Sequence, residues 1–204
     1  MTMLNWELLG KEYPKLNEAA YLNSSAVSLA PKRVSEAVNA YLGTLEADFC
    51  HSFNAYHDRI EKEAREELAK LIQCSPDEIA FTKNTCDGIT LFANAYPFRA
   101  GDNVIITNQE YPSNFYPWLA LERKGVAVKV AEFHDGTLYP EDVLALCDEN
   151  TKIVSLSTVF FCNGFKFDVK TLGGELHKRG ILLVADSIQG LGRLKVIPKE
   201  MNID

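Results

Sequence analysis

The first place where this sequence could do chemistry is an acid that closes an apolar run. From Gly180 to Gly192 the chain reads Gly-Ile-Leu-Leu-Val-Ala-Asp-Ser-Ile-Gln-Gly-Leu-Gly. Ile181 to Ala185, entered from a glycine, has the pattern of a strand buried on both faces of a parallel sheet. Asp186 then stands at the strand's carboxyl end, where open α/β sheets place their ligands. An ionised carboxylate in that position is poorly solvated and needs a cation or a hydrogen-bond donor. A ligand with a protonated ring nitrogen would serve. So would a nearby Lys or Arg, or the acid could cap a turn.

Two more stretches are of the same kind. Phe81-Thr-Lys-Asn-Thr-Cys-Asp-Gly88 reads as a strand end, a short polar turn and a helix start near Thr85 or Cys86. First-turn amides of a helix are unpaired and favour phosphate, with Thr85 and Cys86 adding side-chain donors; a plain Asn or Thr N-cap fits the same residues. In Asn108-Gln-Glu-Tyr-Pro-Ser-Asn114, Pro112 would hold Tyr111 stiffly, its ring placed to cover a flat ligand or to pack on Trp118 or Phe115. Gln189, three residues past Asp186, adds an amide. A phosphate cradle, a stacking ring, an acid and an amide donor together fit one ligand, pyridoxal phosphate.

The order and spacing of these pieces resemble the N-terminal half of fold-type I pyridoxal-phosphate enzymes of the class V aminotransferase group. That group includes cysteine desulfurases, selenocysteine lyases, kynureninases and isopenicillin-N epimerase-like proteins. The similarity runs from Tyr21-Leu-Asn-Ser-Ser-Ala26 through Phe81 to Gly88 and Glu110 to Asn114, and ends at Val184 to Gly192. It implies that Thr85 and Cys86 contact the cofactor phosphate, Tyr111 stacks on the ring, Asp186 pairs with the pyridinium nitrogen and Gln189 reaches the phenolic oxygen. Asn23 and Ser25 would lie on the substrate side. Asp186 has a catalytic part in this scheme, since a protonated ring is an electron sink for a carbanion at the substrate α-carbon.

The resemblance also has departures. Desulfurases usually carry histidine where Tyr111 stands, which lowers the desulfurase reading; among an epimerase, a lyase and an aminotransferase acting at Cα, Tyr111 favours epimerase- or lyase-like chemistry. Cys86 replaces a threonine, a weaker donor. The Phe160-Phe-Cys-Asn-Gly164 stretch lacks the asparagine that some members have just before this glycine, although Asn163 is nearby. The group's Schiff-base lysine would lie beyond Asp204, and Lys195 and Lys199 fall in the stretch before it. Cysteine desulfurase, or a non-catalytic fragment that binds a partner or a phosphate ligand, are the alternatives. The group implies a homodimer acting on an amino acid.

These residues need a scaffold. Short apolar runs alternating with helical ones predict βα units and an α/β fold with a mostly parallel sheet flanked by helices, an incomplete large domain. Strands are expected at 78–82, 103–107, 127–131, 152–158 and 181–185, with a further edge strand at 193–197. Helices are expected near 86–95, 113–124, 140–148 and 169–179. Gly173 and Gly174 in the last helix call for a close helix–sheet contact or a later start. An N-terminal helical segment, residues 1–50, precedes the cofactor-binding domain at 51–204. It holds a turn-rich loop at 21–31 and a helix from Lys32 to Phe49 with Val34, Val38, Tyr41, Leu42 and Leu45 on one face; a second helix starts near Asn54.

Composition narrows the field. With 21 basic and 28 acidic residues the net charge is -7, and no dense Lys/Arg run occurs, which argues against nucleic acid or an anionic membrane as partner. No apolar run reaches the roughly 20 residues of a membrane helix, and residues 1–15 lack a signal-peptide core, so a cytoplasmic protein is expected. Five scattered cysteines suggest reduced thiols. Cys50, His51 and His57 lack a fourth ligand at sensible spacing, so no metal is expected.

Overall fold

The computed structural model describes residues 5–47 and 53–204. The chain divides into two compact units, Met1–Ala64 and Arg65–Asp204. The domain boundary expected near residue 50, and Cys50 and His51 with it, lie outside the described residues.

In the first unit, helix α1 spans Trp6–Glu12, capped by the Asn5 side chain on the Leu8 amide, and α2 spans Lys32–Ala47. Residues 24–26 form a turn, and the Tyr21 hydroxyl donates to the Val27 carbonyl at 2.6 Å with the Asn23 carbonyl at 3.2 Å. Of the apolar stripe expected on α2, Val34, Val38, Leu42 and Leu45 are exposed and Tyr41 is half-buried. Helix α3, Phe53–Ile72, runs on into the second unit.

The second unit is built on four parallel strands: β1 Asn103–Thr107, β2 Ala127–Ala131, β3 Thr151–Ser157 and β4 Leu182–Asp186. Their order is β2-β1-β3-β4. β1 and β3 lie in the middle and are buried along nearly their whole length, although β3 places Ser155 and Ser157 among its apolar residues. Alternate residues of β1 face opposite sides, and each side has its own core. Val104 and Ile106, with Ile153 of β3, pack on Ile89 and Ala93 of α4 (Thr85–Ala95) and on Trp118 of α5 (Tyr116–Leu119). Ile105, Val154, Leu156 and Leu183 pack on Val143 of α6 (Pro140–Leu144) and on Leu172 and Leu176 of α7 (Val169–Lys178). The result is helix, sheet and helix in three layers.

Several expectations are corrected. No strand forms at 78–82: Pro76–Glu78 is a 3-10 turn capped by Ser75. The Ile79 carbonyl is taken by the Arg65 guanidinium, which also lies 5.1 Å over the Phe81 ring, so this stretch is extended but held by a side chain. The helix expected at 113–124 breaks into a 3-10 turn Pro112–Asn114, α5, and a second 3-10 stretch Ala120–Lys124. Pro112 and Pro117 each sit at the start of a piece, where a missing N–H costs nothing. At 193–197 there is one bridge, Leu191 with Leu194, and then helix α8, Pro198–Met201.

Gly173 has a close-contact explanation. A Cβ there would lie 2.2 Å from the Met201 carbonyl and 3.1 Å from Leu183 Cδ2, so α7 meets both α8 and the sheet through a bare backbone. Residues 202–204 then reach the outer side of β4. The Asp204 amide donates to the Leu183 carbonyl at 3.1 Å, and the Asp204 carboxylate accepts from the Leu183 amide at 3.0 Å. On the opposite edge strand, Lys129 of β2 pairs with Asp148 at 2.6 Å.

Candidate active site at the strand tips

The order β2-β1-β3-β4 means the chain leaves β1 toward one side for β2 and returns to the other side for β3 and β4. A parallel sheet opens a crevice at that reversal, beyond the carboxyl ends of β1 and β3. The loop after β1 carries Tyr111, the loop after β3 carries residues 158–164, and β4 ends one strand further on at Asp186.

Asp186 is 6% exposed, and its Oδ1 accepts from the Ile188 amide at 3.0 Å. Its Oδ2 is buried with no hydrogen-bond partner, alone in this among the buried side-chain oxygens and nitrogens of the described residues. Burial pushes the Asp186 carboxyl up from its ordinary pKa, with the Ile188 amide working against the shift. The acid therefore bonds the turn after β4 with one oxygen and has the other unsatisfied, with no Lys or Arg paired to it.

Glu110 is the second buried acid, and it is fully engaged. It is 8% exposed. Oε1 accepts from Thr107 Oγ1 at 3.2 Å and from the Ser157 amide at 2.8 Å. Oε2 accepts from Asn114 Nδ2 at 3.0 Å and from Ser157 Oγ at 2.6 Å. Asn114 Oδ1 in turn accepts from Trp118 Nε1 at 3.2 Å and Ser155 Oγ at 2.6 Å. Burial raises the Glu110 carboxyl pKa, and the donors on Ser157, Asn114 and Thr107 oppose that rise. Ser157 stands in register with Asp186, and the Thr158 amide donates to the Asp186 carbonyl at 2.9 Å. Ser157 thus lies between the Tyr111 loop and Asp186. With neighbouring strands about 4.8 Å apart, the two flanks are on the order of 10 Å from each other at the backbone.

Tyr111 itself is 52% exposed, its ring edge-on to Phe161 at 5.1 Å. The turn that follows it, Pro112–Asn114, packs against α4. That helix begins at Thr85, with Asn84 as N-cap: the Asn84 side chain accepts from the Asp87 amide at 2.9 Å. Thr85 is half-buried and Cys86 exposed, at the end of α4 that carries the positive pole of the helix dipole. The Thr85–Gly88 turn follows an extended segment instead of the expected strand. Gln189 lies half-buried in the turn after β4, its side-chain oxygen 3.2 Å from the Arg193 guanidinium. Asn23 and Ser25 are exposed residues of the first unit. Lys195 and Lys199, the lysines that follow Asp186, sit in exposed ion pairs with Glu200 and Glu78, at 3.3 and 3.2 Å.

Sequence reasoning placed Asp186 and Tyr111 at strand tips but missed the Glu110–Ser157–Asn114 network that joins them. A signal was present: Ser155 and Ser157 alternate with apolar residues inside a central strand, where a hydroxyl needs a partner. Phe161 as the neighbour of Tyr111 was also missed.

A family model described as aminotransferase class-V matches residues 20–204. A probable cysteine desulfurase of Methanothermobacter thermautotrophicus is 32% identical over 100% of this chain and 52% of its own length. A probable cysteine desulfurase of Pyrococcus abyssi is 31% identical over 95% of this chain and 50% of its own. Among solved structures, the apo cysteine desulfurase of Thermococcus onnurineus NA1 superposes with a TM-score of 0.87 at 28% identity, over 100% of this chain and 52% of that one. A C-DES variant with glycine covalently linked to its PLP cofactor gives 0.89 at 19% identity, over 96% and 53%, a likeness of fold. The chain thus spans about half the length of the curated relatives it matches.

Proposed function

This chain belongs to the class V aminotransferase family, and on that premise we propose that it holds pyridoxal phosphate at the tips of β1, β3 and β4 and serves reactions at the Cα of an amino acid. The observation that carries the reading is Asp186 Oδ2: a buried carboxylate oxygen without a donor, at the carboxyl end of β4, one strand from the point where the strand order reverses. A pyridinium N–H is a donor of the right charge for it. Each half of the pair would satisfy the other in a place where neither is stable alone.

The remaining parts follow from position. Asp186 keeps the ring nitrogen protonated; when bound, the cofactor supplies an electron sink for negative charge at Cα. Tyr111 covers one face of the ring. The start of α4, with Thr85 and Cys86, offers amides and side-chain donors to the phosphate; Asp87 in the same turn is a negative charge that the phosphate has to tolerate. Gln189 meets the phenolic oxygen. Asn23 and Ser25 are proposed substrate contacts on the resemblance alone. Tyr111 in place of histidine favours epimerase- or lyase-like chemistry, with aminotransfer within the same class of Cα reactions; the named relatives keep desulfuration as the second reading.

Equilibrium dialysis against pyridoxal phosphate, followed by absorbance of the retained ligand, tests this. The wild-type chain should retain the cofactor, and Asp186→Ala should retain much less. Equal retention by the two proteins, or none by the wild type, ends the proposal.

A further inference from the structure

We propose that Glu110 is a positioning residue, whose buried carboxylate pins the Tyr111 loop to the tip of β3 and so sets the stacking ring against Asp186. The inference rests on the reading that Tyr111 and Asp186 serve one cofactor. Its structural content, that Glu110 determines where the ring stands, is independent of that reading.

Glu110 touches no cation among the described residues; its charge is balanced by neutral donors alone. Those donors come from both sides of the reversal: Thr107 ends β1, Asn114 closes the turn after Tyr111, and Ser157 ends β3 with both its amide and its hydroxyl. A side chain that merely filled the gap would be apolar, because an uncompensated buried carboxylate is costly. What the carboxylate provides is direction, since two oxygens accepting from three residues allow one placement of the residue that carries them. Tyr111 is the next residue. Its carbonyl accepts from the Asn114 amide at 2.8 Å, so the backbone is fixed on both sides of the ring. Ser157 then passes the position on, being in register with Asp186 while Thr158 bonds the Asp186 carbonyl. An exposed ring and a buried acid, on different strands, thereby share one rigid frame.

The test compares wild type with Glu110→Gln, Tyr111→Ala and the double variant. Glutamine keeps the shape of glutamate but turns an N–H₂ toward the donors of Asn114 and Ser157. In the protein without ligand, Glu110→Gln should remain folded by far-ultraviolet circular dichroism. It should lose the nuclear Overhauser contact between the Tyr111 and Phe161 rings, and exchange the Ser157 amide faster. In dialysis it should weaken pyridoxal phosphate binding by roughly tenfold, the scale of a lost charge-assisted hydrogen bond. The double variant should bind no more weakly than Tyr111→Ala, because the two residues act as one. Losses that multiply, or an unchanged ring contact in Glu110→Gln, overturn the proposal. Should the wild type bind no cofactor, the cofactor reading falls and the ring contact alone decides this one. Should Glu110→Gln not fold, Ser157→Ala, which removes the 2.6 Å hydroxyl bond, takes its place under the same outcomes.

Discussion

Replacing Asp186 with asparagine should make the ligand-free chain more stable at neutral pH while removing its grip on the cofactor. The carboxylate is 6% exposed, one of its oxygens has no partner, and burial raises its pKa above the ordinary 3.8. A group whose folded pKa is raised gives its full contribution to stability below the unfolded value and loses it as the pH climbs through the folded value. At pH 7 the wild type therefore carries a buried charge that the folded state disfavours. Asparagine can keep the bond from the Ile188 amide and leaves a neutral N–H₂ where the charged oxygen was. The difference is about 1–2 kcal/mol, the scale of an unsatisfied buried polar group less that of the amide. At roughly 2–4 °C per kcal/mol for a chain of this size, Asp186→Asn should melt several degrees higher at pH 7. As the pH falls through the raised folded value toward the ordinary one, the folded wild-type acid takes up its proton and the two curves should draw together. Glu110, also shifted upward, is common to both proteins and cancels. Pyridoxal phosphate should reverse the ranking, because a ligand at a hundred times its dissociation constant adds about 2.7 kcal/mol to a protein that binds it. Scanning calorimetry at pH 4 and 7, with and without ligand, gives all four comparisons. A lower melting point for Asp186→Asn at pH 7, or a gap that does not change with pH, would refute the argument that buried charge is what this site maintains.

Other substitutions test the scaffold. Gly173→Ala would push a methyl into the Met201 carbonyl and should cost about 1–3 kcal/mol by chemical denaturation. Gly174→Ala, whose nearest neighbour would be Asn202 Nδ2 at 3.8 Å, should gain up to about 1 kcal/mol; reversal of this pair would show that α8 does not lie on Gly173. Asn84→Ala removes the cap on the Asp87 amide and should lower stability by about 1 kcal/mol, seen as faster amide exchange confined to the first turn of α4. Leu172→Ala, fully buried between α7 and the sheet, should cost about 2–5 kcal/mol in urea unfolding.

Central β1 was legible because burial on both faces writes it as an apolar run. Ile181 to Ala185, which has the same pattern, forms the outermost strand β4 of this sheet, with Leu182, Val184 and Ala185 only half-buried, so its composition located the strand and the acid at its end but not its place in the order. Gly173 was legible too, as a glycine where a helix former belongs. Residues 78–82 have the composition of a strand, yet strand formation depends on a neighbour supplying the ladder, and here the Arg65 guanidinium takes the Ile79 carbonyl. The stretch from 113 to 124 has helical spacing, but Pro112 and Pro117 each start a new piece and break it into three. Nothing local could join Glu110 to Ser157, 47 residues apart; that pairing is set by the strand order. The apolar stripe of α2 has the right period for a buried helix, but its exposure is a tertiary matter that period alone does not determine.

The clasp between Asp204 and Leu183 has a meaning beyond local order. A parallel sheet with open sides is a template on which further strands from other molecules can polymerise. Here β2 carries a lysine, and beside β4 a carboxylate sits on the Leu183 amide, one of the groups an incoming strand would need. Crowded solutions of Asp204→Ala should therefore cluster sooner than those of the parent protein, by way of a rim that had been kept closed.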